Sequence, residues 1–101
     1  KLRQLHLDGN QLERLPEVVC ELEALEKLDV SRNQLTELPA GVGRLRKLRQ
    51  LHLDGNQLER LPEVVCELEA LEKLHVRGNQ LTELPAKMEH QLSLLSLDAA
   101  R

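Results

Sequence analysis

The sequence lacks aromatic residues altogether, and this absence restricts what can fill its interior. Phenylalanine, tyrosine and tryptophan are missing from all 101 residues, which include only two cysteines. Because globular cores normally rely on aromatic side chains for bulk, another geometry must fill this one. No apolar run approaches the roughly 18 residues of a membrane helix, and the first residues, KLRQLHL, lack the apolar core of a signal peptide. We therefore expect a soluble single domain over residues 1–101 that has no membrane partner.

Regularly spaced leucines provide the apolar bulk that aromatic residues would otherwise provide. The leucines that open successive units follow one another at intervals of 23 residues: Leu2, Leu25, Leu48 and Leu71. Each unit reads LxxLx(L/V)xxNxLxxLPxxVxxLxx, with two changes late in the fourth. The predicted repeats are 2–24, 25–47, 48–70 and 71–93, with a partial unit at 94–101. Because the chain opens on Lys1 rather than methionine, we expect it to be a fragment of a longer array.

A second period is superimposed on the first. Residues 1–28 are identical to residues 47–74, so the offset is two repeats. Odd units carry ERLPEVVCELEA, whereas even units carry TELPAGVGRLRK or TELPAKMEHQLS. These differences indicate that a pair of unlike repeats was duplicated as a block.

This pattern resembles the leucine-rich repeat, and its Leu-Pro pair with 23-residue spacing resembles the intracellular class. That class includes Scribble-like scaffolds, the Ras-suppressor type and plant Ras-group-related proteins. The resemblance implies an α/β solenoid with a short parallel β-sheet on the concave side and 3₁₀, short-helix or irregular returns on the convex side. It also implies a structural ladder of asparagines where each strand turns: Asn10, Asn33, Asn56 and Asn79.

The residues predict the same architecture without the family. Polar and apolar residues alternate over residues 50–53, QLHL, which is typical of a strand with one buried face. Strands this short must stack on neighbouring units to be stable. Pro62 and the apolar spacing after it indicate a short helix or 3₁₀ turn in the return. Gly41 and Gly43 weaken helical structure, so we expect a looser 3₁₀ or irregular return in the second unit.

The two ends depart from the repeat. Nothing precedes the first strand, so its leucines would form an apolar edge facing solvent: Leu2, Leu5 and Leu7. At the other end, residues 87–99 have the spacing of an amphipathic capping helix, while Leu94, Leu97 and Ala99 fit a degraded fifth strand. We favour the strand because Leu94 and Leu97 keep the 23-residue phase.

The charges alternate in sign from one repeat to the next. They form three columns: Glu21, Arg44 and Glu67; Glu23, Arg46 and Glu69; and Arg3, Glu26, Arg49 and Glu72. Alternation favours one stacking order, and it leaves no continuous basic stripe for a phosphate backbone, so nucleic acid is not an expected partner.

The two cysteines, Cys20 and Cys66, occupy equivalent positions two repeats apart. This places them about 10 Å apart, beyond the roughly 7 Å limit for bridging, so we expect free buried thiols. Without cysteine-rich caps, a reducing cytoplasmic location is expected.

Residues between the inward leucines form one chemical constellation on the concave side: His6, Asp29, His52, His75 and Asp98. His52, His75 and Asp29 would be the ligands of a transition metal, a minor alternative in an otherwise cofactor-free chain. A hydrolase would need His52, Asp29 and Ser31, yet no oxyanion hole or pocket accompanies them, and we expect no enzyme activity. Close packing of the histidines would make binding change as the pH falls through about 6 to 6.5.

We therefore predict a non-catalytic module that binds a protein partner on its concave face, as a monomer or with weak self-association. The alternative is a structural segment that stacks or self-associates end to end through uncapped cores. The expected binding residues are Gln4, His6, Asp8, Lys27, Asp29, Ser31, Arg32, Gln50, His52, Asp54, Lys73, His75 and Arg77. Arg32 and Arg77 are the expected anchors, since arginine is enriched among residues that dominate binding energy.

Overall fold

A computed structural model describes residues 1–82 and the strand at Ser96–Asp98. It contains five parallel strands: β1 (Gln4–His6), β2 (Lys27–Asp29), β3 (Gln50–His52), β4 (Lys73–His75) and β5 (Ser96–Asp98). They form one sheet in the order β1-β2-β3-β4-β5. Leu28 pairs with Leu51, and Leu51 pairs with Leu74, so the sheet register follows the 23-residue period. The predicted leucine-rich-repeat solenoid is confirmed.

Short 3₁₀ helices make the three returns that the structure describes, between β1 and β4. They are η1 (Glu17–Glu21), η2 (Ala40–Arg44) and η3 (Glu63–Glu67). Each follows a proline, as at Pro62 with φ −68° and ψ 149°, because the fixed φ suits a helix start and the missing N–H would have no partner there. Each helix closes when the next leucine donates back to it, as Leu68 N–H does to the Val65 carbonyl.

The 3₁₀ alternative for the second return is confirmed, but this return is no shorter than the others. The helix η2 is five residues long, as η1 and η3 are. A Cβ on Gly41 would lie 3.2 Å from Cys20 Sγ, and one on Gly43 would lie 3.2 Å from Val64 Cβ. The glycines therefore let the three returns pack closely, and this packing offsets their low helical propensity.

In the interior, equivalent side chains of successive repeats stack into columns. Leu28, Leu51 and Leu74 are fully buried along the sheet. Asn33, Asn56 and Asn79 are buried beside them and bond to backbone groups of their own and the preceding repeat. The turns therefore satisfy backbone groups that have left the sheet.

The two edge strands, β1 and β5, lie at the ends of the chain where the sequence departs from the repeat. Leu2 is 49% exposed, whereas its equivalents Leu25 and Leu48 are fully buried, and end-to-end association through this edge stays a prediction. The β5 strand pairs Leu97 with Leu74, which is the position that the strand alternative requires. The rest of the proposed capping helix, residues 87–95 and 99, lies outside the described residues.

The prediction for the cysteines is confirmed, and that for the charge columns only in part. Neither Cys20 nor Cys66 forms a disulfide, and both are buried, as expected; burial raises the pKa of the Cys20 thiol. Within residues 1–82, only the third charge column forms a direct ion pair, Arg49 Nη2 to Glu72 Oε2 at 3.1 Å. In that part of the chain no helix has the length and apolar character needed to cross a membrane.

Candidate functional site

The exposed side of the sheet, which we call the concave face, carries the polar residues that alternate with buried leucines. In β3, for example, Gln50 and His52 are half-buried and flank the fully buried Leu51. Parallel in-register pairing stacks such positions into columns. The first column is Gln4, Lys27, Gln50 and Lys73; the second is His6, Asp29, His52 and His75; the turns just beyond the strands add Asp8, Ser31, Arg32, Asp54 and Arg77.

Two histidines of the second column are in direct contact. The rings of His52 and His75 stack with centroids 4.6 Å apart and an interplanar angle of 25°. His52 Nε2 also lies 3.2 Å from Gln50 Oε1. Burial lowers the pKa of His52 below its ordinary 6.5, and the neighbouring His75 lowers it further. Protonation of His52 therefore opposes folding and occurs at lower pH than that of an ordinary histidine. The pH dependence of binding expected from the sequence stays a prediction.

The carboxylate of Asp29 lies between two histidine-bearing strands. Burial raises its pKa, but the net pKa is lowered because Ser31 donates hydrogen bonds and His52 and His6 add favourable charge interactions. The Ser31 N–H to Asp29 Oδ1 distance is 3.0 Å. Because the Ser31 hydroxyl also bonds Asp29, it is oriented toward the carboxylate as a local turn contact, whereas a hydrolytic triad would require it to donate to His52.

Arg32 adopts an unusual backbone conformation for its residue type. Its φ is 56°, whereas the equivalent Gly9, Gly55 and Gly78 have φ of 73°, 70° and 76°. A side chain in this left-handed region costs roughly 1–2 kcal/mol. The Arg32 Nη2 lies 3.2 Å from Asp8 Oδ2 in an ion pair, with side-chain exposures of 74% and 34%. Such exposed pairs contribute little stability, so this ion pair does not offset the cost.

The structure brings together a different metal-ligating trio from the one expected. Ligand atoms of His6, Asp8 and Asp29 all lie within 4.8 Å of one another, and this is the group of three that the described residues offer. His52 and His75 were the expected ligands with Asp29, but they instead stack face to face. The column pattern placed Asp29 beside His6 correctly, but it gave no signal that Asp8, two residues beyond the strand, also approaches them.

This chain is similar to a known protein family and to a solved structure. The family described as Leucine rich repeat matches residues 1–58. The chain belongs to the leucine-rich repeat family. A solved leucine-rich-repeat protein of Leptospira interrogans has a TM-score of 0.81 and 34% identity, over 96% of this chain and 25% of that one. Leucine-rich-repeat domains generally mediate protein–protein interaction and are typically non-catalytic.

The similar curated proteins are much longer than this leucine-rich-repeat chain. Leucine-rich repeat-containing protein 7 of Rattus norvegicus is 41% identical over 44 residues, which is 44% of this chain and 3% of that protein. The proteins of the same name from Mus musculus and Homo sapiens match to the same extent. The chain is distantly similar to these relatives, and the match spans 3% of their length.

Proposed function

We propose that this chain is a non-catalytic interaction module that binds a protein partner on its concave face. One observation carries the proposal: Arg32 occupies a left-handed turn position where the other described repeats have glycine. Backbone strain of this kind concentrates at functional positions. A large, exposed guanidinium at the rim of an open sheet is also the type of side chain that anchors protein partners.

We also propose that the module belongs to the intracellular 23-residue class, with Scribble-like scaffolds among its relatives, and works in the cytoplasm. The Leu-Pro pair with its spacing supports this assignment. The similarity to Leucine-rich repeat-containing protein 7 also supports it. So do the two cysteines, because thiols that form no disulfide suit a reducing compartment.

The change Arg32→Gly separates binding from folding. Glycine relieves the left-handed strain, and we expect the free energy of unfolding to rise by about 0.5–1 kcal/mol. Binding of a captured partner is expected to weaken by about fivefold or more, the effect of losing one dominant contact. Urea denaturation gives the first quantity, and calorimetry with the purified partner gives the second.

Two control variants accompany Arg32→Gly. Arg46→Gln removes the same charge from an exposed residue outside the concave face, and it should leave binding unchanged. Arg77→Ala removes the second expected anchor and should weaken binding. If Arg32→Gly and Arg77→Ala both bind as tightly as the unchanged chain, the partner does not contact this face and the proposal is wrong.

Binding of a divalent transition metal is a second candidate function, favoured by the trio His6, Asp8 and Asp29. One imidazole and two carboxylates suit zinc or manganese. Calorimetric titration with zinc should show heat that His6→Ala removes. His52→Ala is the matched control, because His52 occupies the identical stretch LHLDGN but faces His75 on β4. Absence of heat, or equal loss in both variants, would exclude this trio.

A further inference from the structure

Three acidic residues of the concave face have partners within the chain. Asp8 Oδ2 pairs with Arg32 Nη2 at 3.2 Å. Asp29 Oδ1 accepts the Ser31 N–H at 3.0 Å, and Asp54 Oδ1 accepts the Arg77 N–H at 2.9 Å. Hydrogen bonds to a carboxylate stabilise its charge in place, so these groups have little need of a cation from a partner.

Two lysines of the same face have no such ionic partner within the described residues. Lys27 and Lys73 pair on either side of Gln50 in the register of β2, β3 and β4. Within the described residues, neither lysine forms an ion pair with a carboxylate. Neighbouring strands lie about 4.8 Å apart, so the two backbone positions are separated by about 10 Å.

The positive charge of the lysines extends into the histidine column. Lys27 is one of the charges that lower the pKa of His52. In the described part of the chain, the Nε2 of His75 is buried without a hydrogen-bond partner. Because this nitrogen is buried, a partner carboxylate near Lys73 would contact the lysine and not the imidazole.

The column that holds the two lysines differs in charge from the whole chain. The chain has a formal net charge of −3. The column carries two cations and no carboxylate, because its successive positions are Gln4, Lys27, Gln50, Lys73 and Ser96. Since Asp8, Asp29 and Asp54 nearby are bonded internally, this column presents positive charge to a partner.

We propose that the protein partner presents an acidic segment whose carboxylates bind Lys27 and Lys73 across the uncharged Gln50. The inference rests on the proposed function and names the chemistry of its partner. Carboxylates about 10 Å apart match the spacing of the two lysines. A continuous polyphosphate fits less well, because its phosphates recur more closely than the two lysines and those beside Gln50 would meet no cation.

Three labelled peptides of equal length test this specificity against the full chain. The first has glutamates spaced by glycine and serine, and the other two replace every glutamate with glutamine or with lysine. Fluorescence anisotropy at low ionic strength should detect binding of the glutamate peptide, and added salt should weaken it because exposed charge pairs are screened. The glutamine and lysine peptides should bind at least about tenfold more weakly.

Variants of the chain locate the binding site. Each of Lys27→Gln and Lys73→Gln should weaken the glutamate peptide by about two- to fivefold, and the double variant by about tenfold. Lys47→Gln makes the same change at an exposed lysine outside the concave face and should have no effect. Circular dichroism should show all variants folded, since none of these lysines is buried.

Several results would overturn the acidic-partner inference. Among them are equal or tighter binding of the glutamine or lysine peptide, no binding of any peptide, and full binding by the double variant. Tighter binding of a single-stranded oligonucleotide of equal charge would identify a different class of partner. The proposed function is judged separately: a captured protein that is lost with Arg32→Gly but unaffected by the double lysine variant refutes only the acidic chemistry.

Discussion

Replacing Asn56 with alanine is expected to lower the free energy of unfolding by about 3–5 kcal/mol. Asn56 is 4% exposed. Its Oδ1 accepts the Leu35 N–H at 3.1 Å, and its Nδ2 donates to the carbonyls of Val30 at 3.0 Å and Leu53 at 2.9 Å. Alanine would leave these buried backbone groups without partners, and each unsatisfied group costs about 1–3 kcal/mol. Urea denaturation followed by circular dichroism measures the loss.

Asn10→Ala is the matched control for that loss. Asn10 occupies the equivalent turn in the first repeat but is exposed, and its Nδ2 donates to the carbonyls of Leu7 and Asp8. Water can replace these bonds, so we expect a loss below about 1 kcal/mol. Equal losses in the two variants would show that burial between repeats does not give the ladder its stabilising effect.

The change Leu51→Ala is expected to lower the free energy of unfolding by about 3–5 kcal/mol, the range for a cavity at a fully buried leucine. Leu51 is 0% exposed and pairs with Leu28 on one side and Leu74 on the other. Neighbouring repeats on both sides prevent the site from collapsing around the smaller side chain. The free energy of unfolding from urea denaturation provides the measurement.

Leu5→Ala is a close control because the chain contains its own duplicate. Residues 1–28 repeat residues 47–74, so both substitutions fall in the same local sequence. Leu5 is only half-buried and has a paired strand on one side, through Leu28. We expect about half the loss of Leu51→Ala. If Leu5→Ala lowers the free energy of unfolding as much as Leu51→Ala does, local sequence outweighs stacking in stabilising the strand.

Sequence periodicity predicted the sheet well because one interval determines both the chain pattern and the strand register. The 23-residue offset that separates Leu28 from Leu51 in sequence is also the offset that pairs them in the sheet. Propensity arguments failed at Gly41 because they treat each return alone. The decisive contact is with Cys20 of the preceding repeat, and only packed neighbours reveal it.

The candidate site was predictable in its columns but not in its side-chain chemistry. Adjacent positions such as His52 and His75 followed from register, whereas their stacking and the lowered pKa of His52 depend on burial and ring orientation. Arg32 stood out in the sequence as a replacement for glycine. Its left-handed φ depends on the turn that all four repeats share, and a pattern of residue types does not report dihedral angles.

The alternation of Lys27, Gln50 and Lys73 gives the surface a pitch of two strands, or about 10 Å. Every additional duplicated block inserted into such a sheet would add another lysine at the same interval. Valency would then rise with array length, and an acidic chain with matching spacing would gain avidity multiplicatively. A partner with irregular spacing would engage one block whatever the length, so repeat number itself would select among partners.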